Sequence, residues 1–210
     1  MTKRIVVISD THNSHEEIDV PHGDILLHCG DWSGVGSLQE LISLNQWFGT
    51  LGFQDIVVIA GNHDRFAEAS YSTTKQLFTN AHYIQDEMIE VQGLKIYGSP
   101  YTKEYGAWYF MRTEERLIEV WDKIPDDIDI LMTHGPAHGI LDYVPRGGGD
   151  HAGSVTLGDA ILNRIQPKLH AFGHIHCAYG QTQRNSIKFV NAACLDDWYM
   201  PVNKPIEVVL

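Results

Sequence analysis

Cysteine is scarce in this 210-residue chain. Cys29, Cys177 and Cys194 are odd in number, widely spaced and without a CxxC pair. That excludes a disulfide framework and reads as reduced, incidental thiols of a cytoplasmic protein. No run of about 18 apolar residues occurs, so no membrane-spanning helix is expected, and no apolar leader segment precedes the first strand-like run. Basic residues are also few, 15 Lys and Arg against 27 Asp and Glu, which leaves a formal charge of −12. Such a chain lacks the basic footprint that a long nucleic acid needs. Repeats, low-complexity tracts and long linkers are missing too. The expectation is therefore one domain over residues 1–210, with no separate cap domain.

What is abundant is histidine, 12 residues in 210. Five short apolar runs each end in residues able to hold a metal. Ile5–Ser9 leads into Asp10-Thr11-His12, Ile25–Cys29 into Gly30-Asp31, and Ile56–Ala60 into Gly61-Asn62-His63-Asp64. Ile130–Thr133 leads into His134-Gly135, and Leu169–Phe172 into Gly173-His174-Ile175-His176. Short β-branched runs bounded by glycine read as buried strands. In open α/β sheets ligands sit beyond the carboxyl ends of the strands, so five such ends describe one shared site for a pair of metal ions. Histidines outside these motifs, such as His15, His22, His82 and His170, read as surface or packing residues.

Between the runs, Ser37 and Glu40 form a capping box ahead of Leu38, Leu41, Ile42 and Phe48, with Gly49 and Gly52 as a stop. Met88–Val91 and Lys95–Gly98 read as a hairpin. Thr113 opens a second helix that Pro125 follows, and a third covers about 156–165 before Gln166-Pro167. Residues 186–191 and 206–210 add two strands. This order suggests α/β layering with a mixed sheet or two sheets.

Asp10-x-His12 places two side chains on the same side of an extended backbone, and His174-x-His176 repeats that geometry. The two oxygens of Asp31 can bridge two cations. Asn62 offers a neutral oxygen, and adjacent His63 and Asp64 supply the imidazole–carboxylate pairing that holds an imidazole protonated. Two cations would add four positive charges against two negative ones from Asp10 and Asp31, drawing an anion to the spot within an acidic protein.

The ordered set DxH, GD, GNHD, H and GHxH, spanning about residues 10–176, resembles that of the calcineurin-like metallophosphoesterases. Pro21-His22-Gly23-Asp24, Trp47-Phe48-Gly49, Lys95–Pro100, Asp129–Pro136 and Pro167–His170 are similar to the small metallophosphoesterase-domain subfamily, which includes cyclic-nucleotide phosphodiesterases. The resemblance implies two packed mixed β-sheets flanked by helices, a four-layer sandwich. It implies one metal on Asp10, His12 and His176, a second on Asn62, His134 and His174, and Asp31 bridging them. His63 becomes the acid that protonates the leaving oxygen, and Asp64 orients it. Asn62 and His63 would also face the substrate. Some animal members carry Gly where this chain keeps His174, so two complete metal sites are implied here.

The implied reaction is attack on phosphorus by a hydroxide made at two cations about 3.5–4 Å apart. The expected cofactors are two divalent ions, Mn favoured among Mn, Fe, Zn, Ni and Co. The expected substrate is a small phosphodiester such as a cyclic nucleotide. Arg146, in the Gly-rich loop Tyr143–His151, could contact its phosphate. Tyr101, Tyr105, Trp108 and Tyr109 read as packing residues rather than as a base-stacking surface. The rival readings are a phosphomonoesterase and a catalytically silent binding module. Oligomeric state is not legible.

Overall fold

In the computed structural model, which describes residues 2–147 and 149–210, the apolar runs become strands of two mixed sheets. The first sheet receives β1 (Arg4–Ile8), β2 (Ile25–Cys29), β3 (Asp55–Ile59) and β4 (His82–Tyr83), all parallel. The second receives β5 (Glu87–Val91), β6 (Leu94–Ser99), β7 (Ile130–Thr133), β8 (Leu169–Phe172), β9 (Gly180–Arg184) and β10 (Ile187–Asn191). β11 (Ile206–Val209) returns to the first sheet, antiparallel to β1. The strand orders are β11-β1-β2-β3-β4 and β9-β10-β8-β7-β6-β5. In the second sheet β10, β8, β7 and β6 are parallel, and the antiparallel β9 and β5 close its edges.

Parallel strands covered on both faces must be apolar on both, and β2, β7 and β8 are buried at every position. Between the sheets Val7, Leu27, Val57 and Ile59 meet Ile96, Ile130, Met132 and Ala171. The outer face of the first sheet (Val6, Ile8, Leu26, Val58) packs on Leu41, Leu44 and Phe48 of α1 (Leu38–Phe48). The outer face of the second (Tyr97, Leu131, Phe172) packs on Leu117 and Trp121 of α4 (Glu114–Trp121) and Leu157 of α5 (Val155–Ala160). The result is the four-layer sandwich.

Two local expectations change. The third helix is α-helical only to Ala160 and continues as a π turn over Ile161–Ile165, ending at left-handed Gln166. α2 (Arg65–Ala69) and α3 (Tyr71–Leu77) lie where no helix was expected. One is five residues long and the other mostly polar, so neither carries the apolar repeat that betrays a packed helix. Among the described residues, no helix is long and apolar enough to cross a membrane.

The capping box of α1 is present: the Glu40 amide donates to Ser37 Oγ, and the Ser37 amide to Glu40 Oε2. Glu40 Oε1 also accepts from the Gly34 and Val35 amides. Ser37→Ala should cost about 1 kcal/mol, the usual worth of an N-cap, seen as a lower urea midpoint at unchanged slope. An unshifted midpoint would mean that Glu40 holds this helix start without Ser37.

Candidate metal centre

The carboxyl ends of β1, β2, β3, β7 and β8 converge, held by hydrogen bonds within the first sheet and by one from the end of β8 to the end of β1. The Asp10 amide donates to the Gly30 carbonyl (2.9 Å). The His63 amide donates to Asp31 Oδ1 (2.7 Å), and the His174 amide to Asp10 Oδ2 (2.9 Å). Asp10, Asp31, Asn62 and His134 are buried.

The backbone at these ends is not extended. Asp10, His12, Asp31 and His174 have φ of 53°, 40°, 51° and 71°, a left-handed conformation that costs a non-glycine residue about 1–3 kcal/mol. This corrects the alternating geometry expected of Asp10-x-His12 and His174-x-His176. The sharp turns aim neighbouring side chains separately, so His174 and His176 serve different clusters. Three sets of donor atoms lie within 4.8 Å of one another: Asp10, His12 and His176; Asp31, His134 and His174; and His12, Asp31 and His63. Asn62 Oδ1 lies 2.9 Å from His134 Nε2.

The imidazoles are oriented from behind. Nδ1 of His12, His134 and His176 lies 3.2, 3.0 and 2.9 Å from the carbonyl oxygens of Ser33, Cys29 and Asp196. A carbonyl only accepts, so each Nδ1 carries the hydrogen and each Nε2 points inward as a donor atom for a cation. Nε2 of His12 and His176 are 3.3 Å apart. Among the described residues Asp10 Oδ1 is buried without a hydrogen-bond partner, 3.3 Å from His176 Nε2, and Asp31 Oδ2 is 3.3 Å from His134 Nε2.

Such an arrangement requires positive charge between its members. Burial opposes protonation of His134, yet the facing Asp31 carboxylate raises its pKa to about 9. Burial likewise opposes the His176 cation, and contact with Asp10 raises that pKa to about 9. Burial and the His134 charge push His174 down. Imidazole nitrogens, carboxylate oxygens and one amide oxygen form a mixed N/O set that fits a pair of borderline divalent cations.

His63 and Asp64 are not a pair. Asp64 is fully buried and accepts from the Gly61 amide (2.7 Å) and from the Ser33 amide and hydroxyl (3.0 and 2.6 Å). His63 Nδ1 instead lies 3.0 Å from the Gly34 carbonyl. Asp64 therefore braces the turn that presents His63 and does not touch its ring. Arg146 is exposed, with its guanidinium 4.4 Å above the Trp198 ring. Gly148, in the same loop, lies outside the described residues.

The aromatic residues divide. Tyr101 and Tyr109 are partly buried and pack against the core cluster on the outer face of the first sheet, Tyr101 also against that of the second. Trp108 stacks on His63 (centroids 4.4 Å apart), and Tyr105 faces His174 at 5.4 Å. The reading of all four as packing residues thus holds for two. Tyr199, unmarked by any motif, stands edge-on to His12 at 4.8 Å and 5.5 Å from His176. Its one sequence signal is the string Trp198-Tyr199-Met200, large apolar side chains in a segment without strand alternation.

A family model described as calcineurin-like phosphoesterase matches residues 3–178. The human metallophosphoesterase domain-containing protein 1 is 36% identical, over 99% of this chain and 71% of its own length. A UPF0046 protein of Caenorhabditis elegans is 34% identical, over 97% and 79%. Among solved structures, TT1561 of Thermus thermophilus superposes with a TM-score of 0.61 at 12% identity, over 92% and 90% of the two chains. That last likeness concerns the fold.

Close backbone approach makes the site intolerant at Gly173, where a Cβ would lie 2.0 Å from Asp10 Oδ2 and 2.1 Å from Ser9 Oγ. Gly173→Ala should sharply reduce Mn²⁺ taken up by metal-free protein, measured by elemental analysis, while far-ultraviolet circular dichroism stays native. Full uptake would show that Asp10 is free to move.

Proposed function

Because the chain belongs to the calcineurin-like phosphoesterase family of metal-dependent phosphoric ester hydrolases, we propose that it hydrolyses small phosphodiesters, including cyclic nucleotides, at the cluster just described. Asp10, His12 and His176 would hold one cation and Asn62, His134 and His174 the other, with Asp31 shared. When bound, two such ions activate water and offset the charge of the phosphoryl oxygens. Mn²⁺ is the favoured occupant, with Fe, Zn, Ni and Co suited to the same donors.

The protein's own residues supply the rest. His63 keeps its Nδ1 hydrogen on the Gly34 carbonyl, 3.0 Å away, which leaves Nε2 free to carry a proton to the leaving oxygen. General acid catalysis of this kind is worth about 10²–10⁴-fold. Asn62 contributes an uncharged oxygen, so the cluster gains a ligand without a third negative charge. On the reading of residues 1–210 as one domain without a cap, the mouth of the site would stay open to small esters.

The preference for diesters rests on one observation, the character of the rim. Around the cluster stand the rings of Tyr105, Trp108 and Tyr199. Lys103 lines a cavity of about 530 Å³ beside His174, but Glu104 and Asp150 line it too. A monoester brings nearly two negative charges and calls for unpaired Lys or Arg. A diester brings one, and its organic arms suit aromatic walls.

Metal-free protein resupplied with Mn²⁺ should hydrolyse bis-p-nitrophenyl phosphate at least about 10-fold faster than p-nitrophenyl phosphate, a gap of roughly 1.4 kcal/mol. Asp31→Asn should lose both the activity and the bound metal. Monoester preference would make the protein a phosphatase, and silence with every metal would make it a binding module. His63→Ala should retain metal, with turnover falling about 10²–10⁴-fold on alkyl esters and little on nitrophenyl esters. Equal losses on both would end the acid role.

A further inference from the structure

Nε2 of His12, His134 and His176 each lies within 4.0 Å of an Asp10 or Asp31 oxygen, whereas among the described residues no such ion-pair contact holds His63. Its Nδ1 rests on the Gly34 carbonyl, but its ring is only partly buried, and the neighbouring carboxylate of Asp64 is turned away toward Ser33 and Gly61. One hydrogen bond leaves a ring free to swing about that bond. A second restraint is supplied by Trp108, whose indole lies face to face with the imidazole, the planes 26° apart and the centroids 4.4 Å apart. The edge of His12 closes the ring in at 4.7 Å.

The placement of Trp108 is built into the backbone. The segment between Lys103 and Met111 leaves a short ribbon in which Thr102–Lys103 pairs with Met111–Arg112. The Tyr109 amide donates to the Asn62 carbonyl (3.2 Å), one residue before His63. The Phe110 amide donates to Glu68 Oε1 (3.0 Å), and the Phe110 side chain is fully buried. The ribbon is thus fastened to the turn that carries His63. Trp108 itself remains 46% exposed, a poor return for so large an apolar side chain if packing were its purpose.

Resting on the reading of His63 as the proton donor, we infer that Trp108 is its positioning residue, the wall that holds the His63 ring in the orientation from which Nε2 reaches the leaving oxygen. It acts through His63 and touches no reacting atom. Orientation of a donor governs the rate of the chemical step more than the binding of substrate.

The test compares the holoenzyme with Trp108→Leu and Trp108→Phe on two diesters. On a nucleoside 2′,3′-cyclic phosphate, whose leaving ribose oxygen needs a proton, Trp108→Leu should lower kcat at least about 10-fold with KM within about twofold. On bis-p-nitrophenyl phosphate, whose leaving group departs as a stable anion, the loss should be slight, and Trp108→Phe should restore most of the rate on both. In a His63→Ala background Trp108→Leu should change nothing further, since the two residues act as one unit. A raised KM at unchanged kcat, or equal losses on both esters, would make Trp108 a substrate contact and overturn the inference. The ring protons of His63, assigned by NMR, judge the geometry apart from turnover. An upfield shift lost in Trp108→Leu and kept in Trp108→Phe supports the stacking, and unchanged shifts overturn it even in protein that hydrolyses nothing.

Discussion

Two carboxylates, Asp10 and Asp31, lie buried where the ends of two sheets meet, and burying like charges side by side is unfavourable unless cations stand between them. Much of the local structure answers that demand. Three imidazoles turn Nε2 toward the carboxylates while backbone carbonyls hold Nδ1. Backbone amides of His63 and His174 donate to the same two acids. At Gly61 a Cβ would lie 2.4 Å from Asp31 Oδ1, so the third strand can end there only as glycine. The left-handed turns at Asp10, His12, Asp31 and His174 belong to the same economy: strain is accepted at strand ends because it aims donors that a straight strand would scatter.

The loop between β2 and α1 carries a second layer of this design. Ser33 and Gly34 offer the carbonyls that hold His12 and His63. Those two residues are fixed in turn by carboxylates that never reach the cluster. Asp64 accepts from Ser33, and Glu40 accepts from Gly34, Val35 and Ser37. The start of α1 and the orientation of two cluster histidines are therefore one hydrogen-bonded unit. A helix cap, usually a matter of local stability, here sets the direction of side chains some distance away.

Around this charged centre the rim is aromatic, and Arg146 is stacked on Trp198. An acidic chain with a cation-seeking pocket and aromatic walls is suited to small anions with organic arms. Long polyanions, whose recognition depends on rows of Lys and Arg, lie outside the proposed activity. The proposed diester activity and the proposed part of Trp108 both draw on that contrast between a charged floor and an apolar rim.

Much of this protein was legible in its sequence because burial on both faces demands unbroken apolar runs, and the donors follow those runs directly. β1, β2, β3, β7 and β8, the capped start of α1 and the convergence of Asp10, His12, Asp31, Asn62, His63, His134, His174 and His176 all follow from such local signals. The helices at Arg65–Ala69 and Tyr71–Leu77 were hidden because short or polar helices have no periodic stripe. The true partners of Asp64, the turn geometry at Asp10 and His174, and the arrival of Trp108 and Tyr199 were decided only by the tertiary structure. Each depends on which backbone groups lie opposite once two sheets close on one another, and residues so far apart in sequence leave no spacing from which that contact can be read.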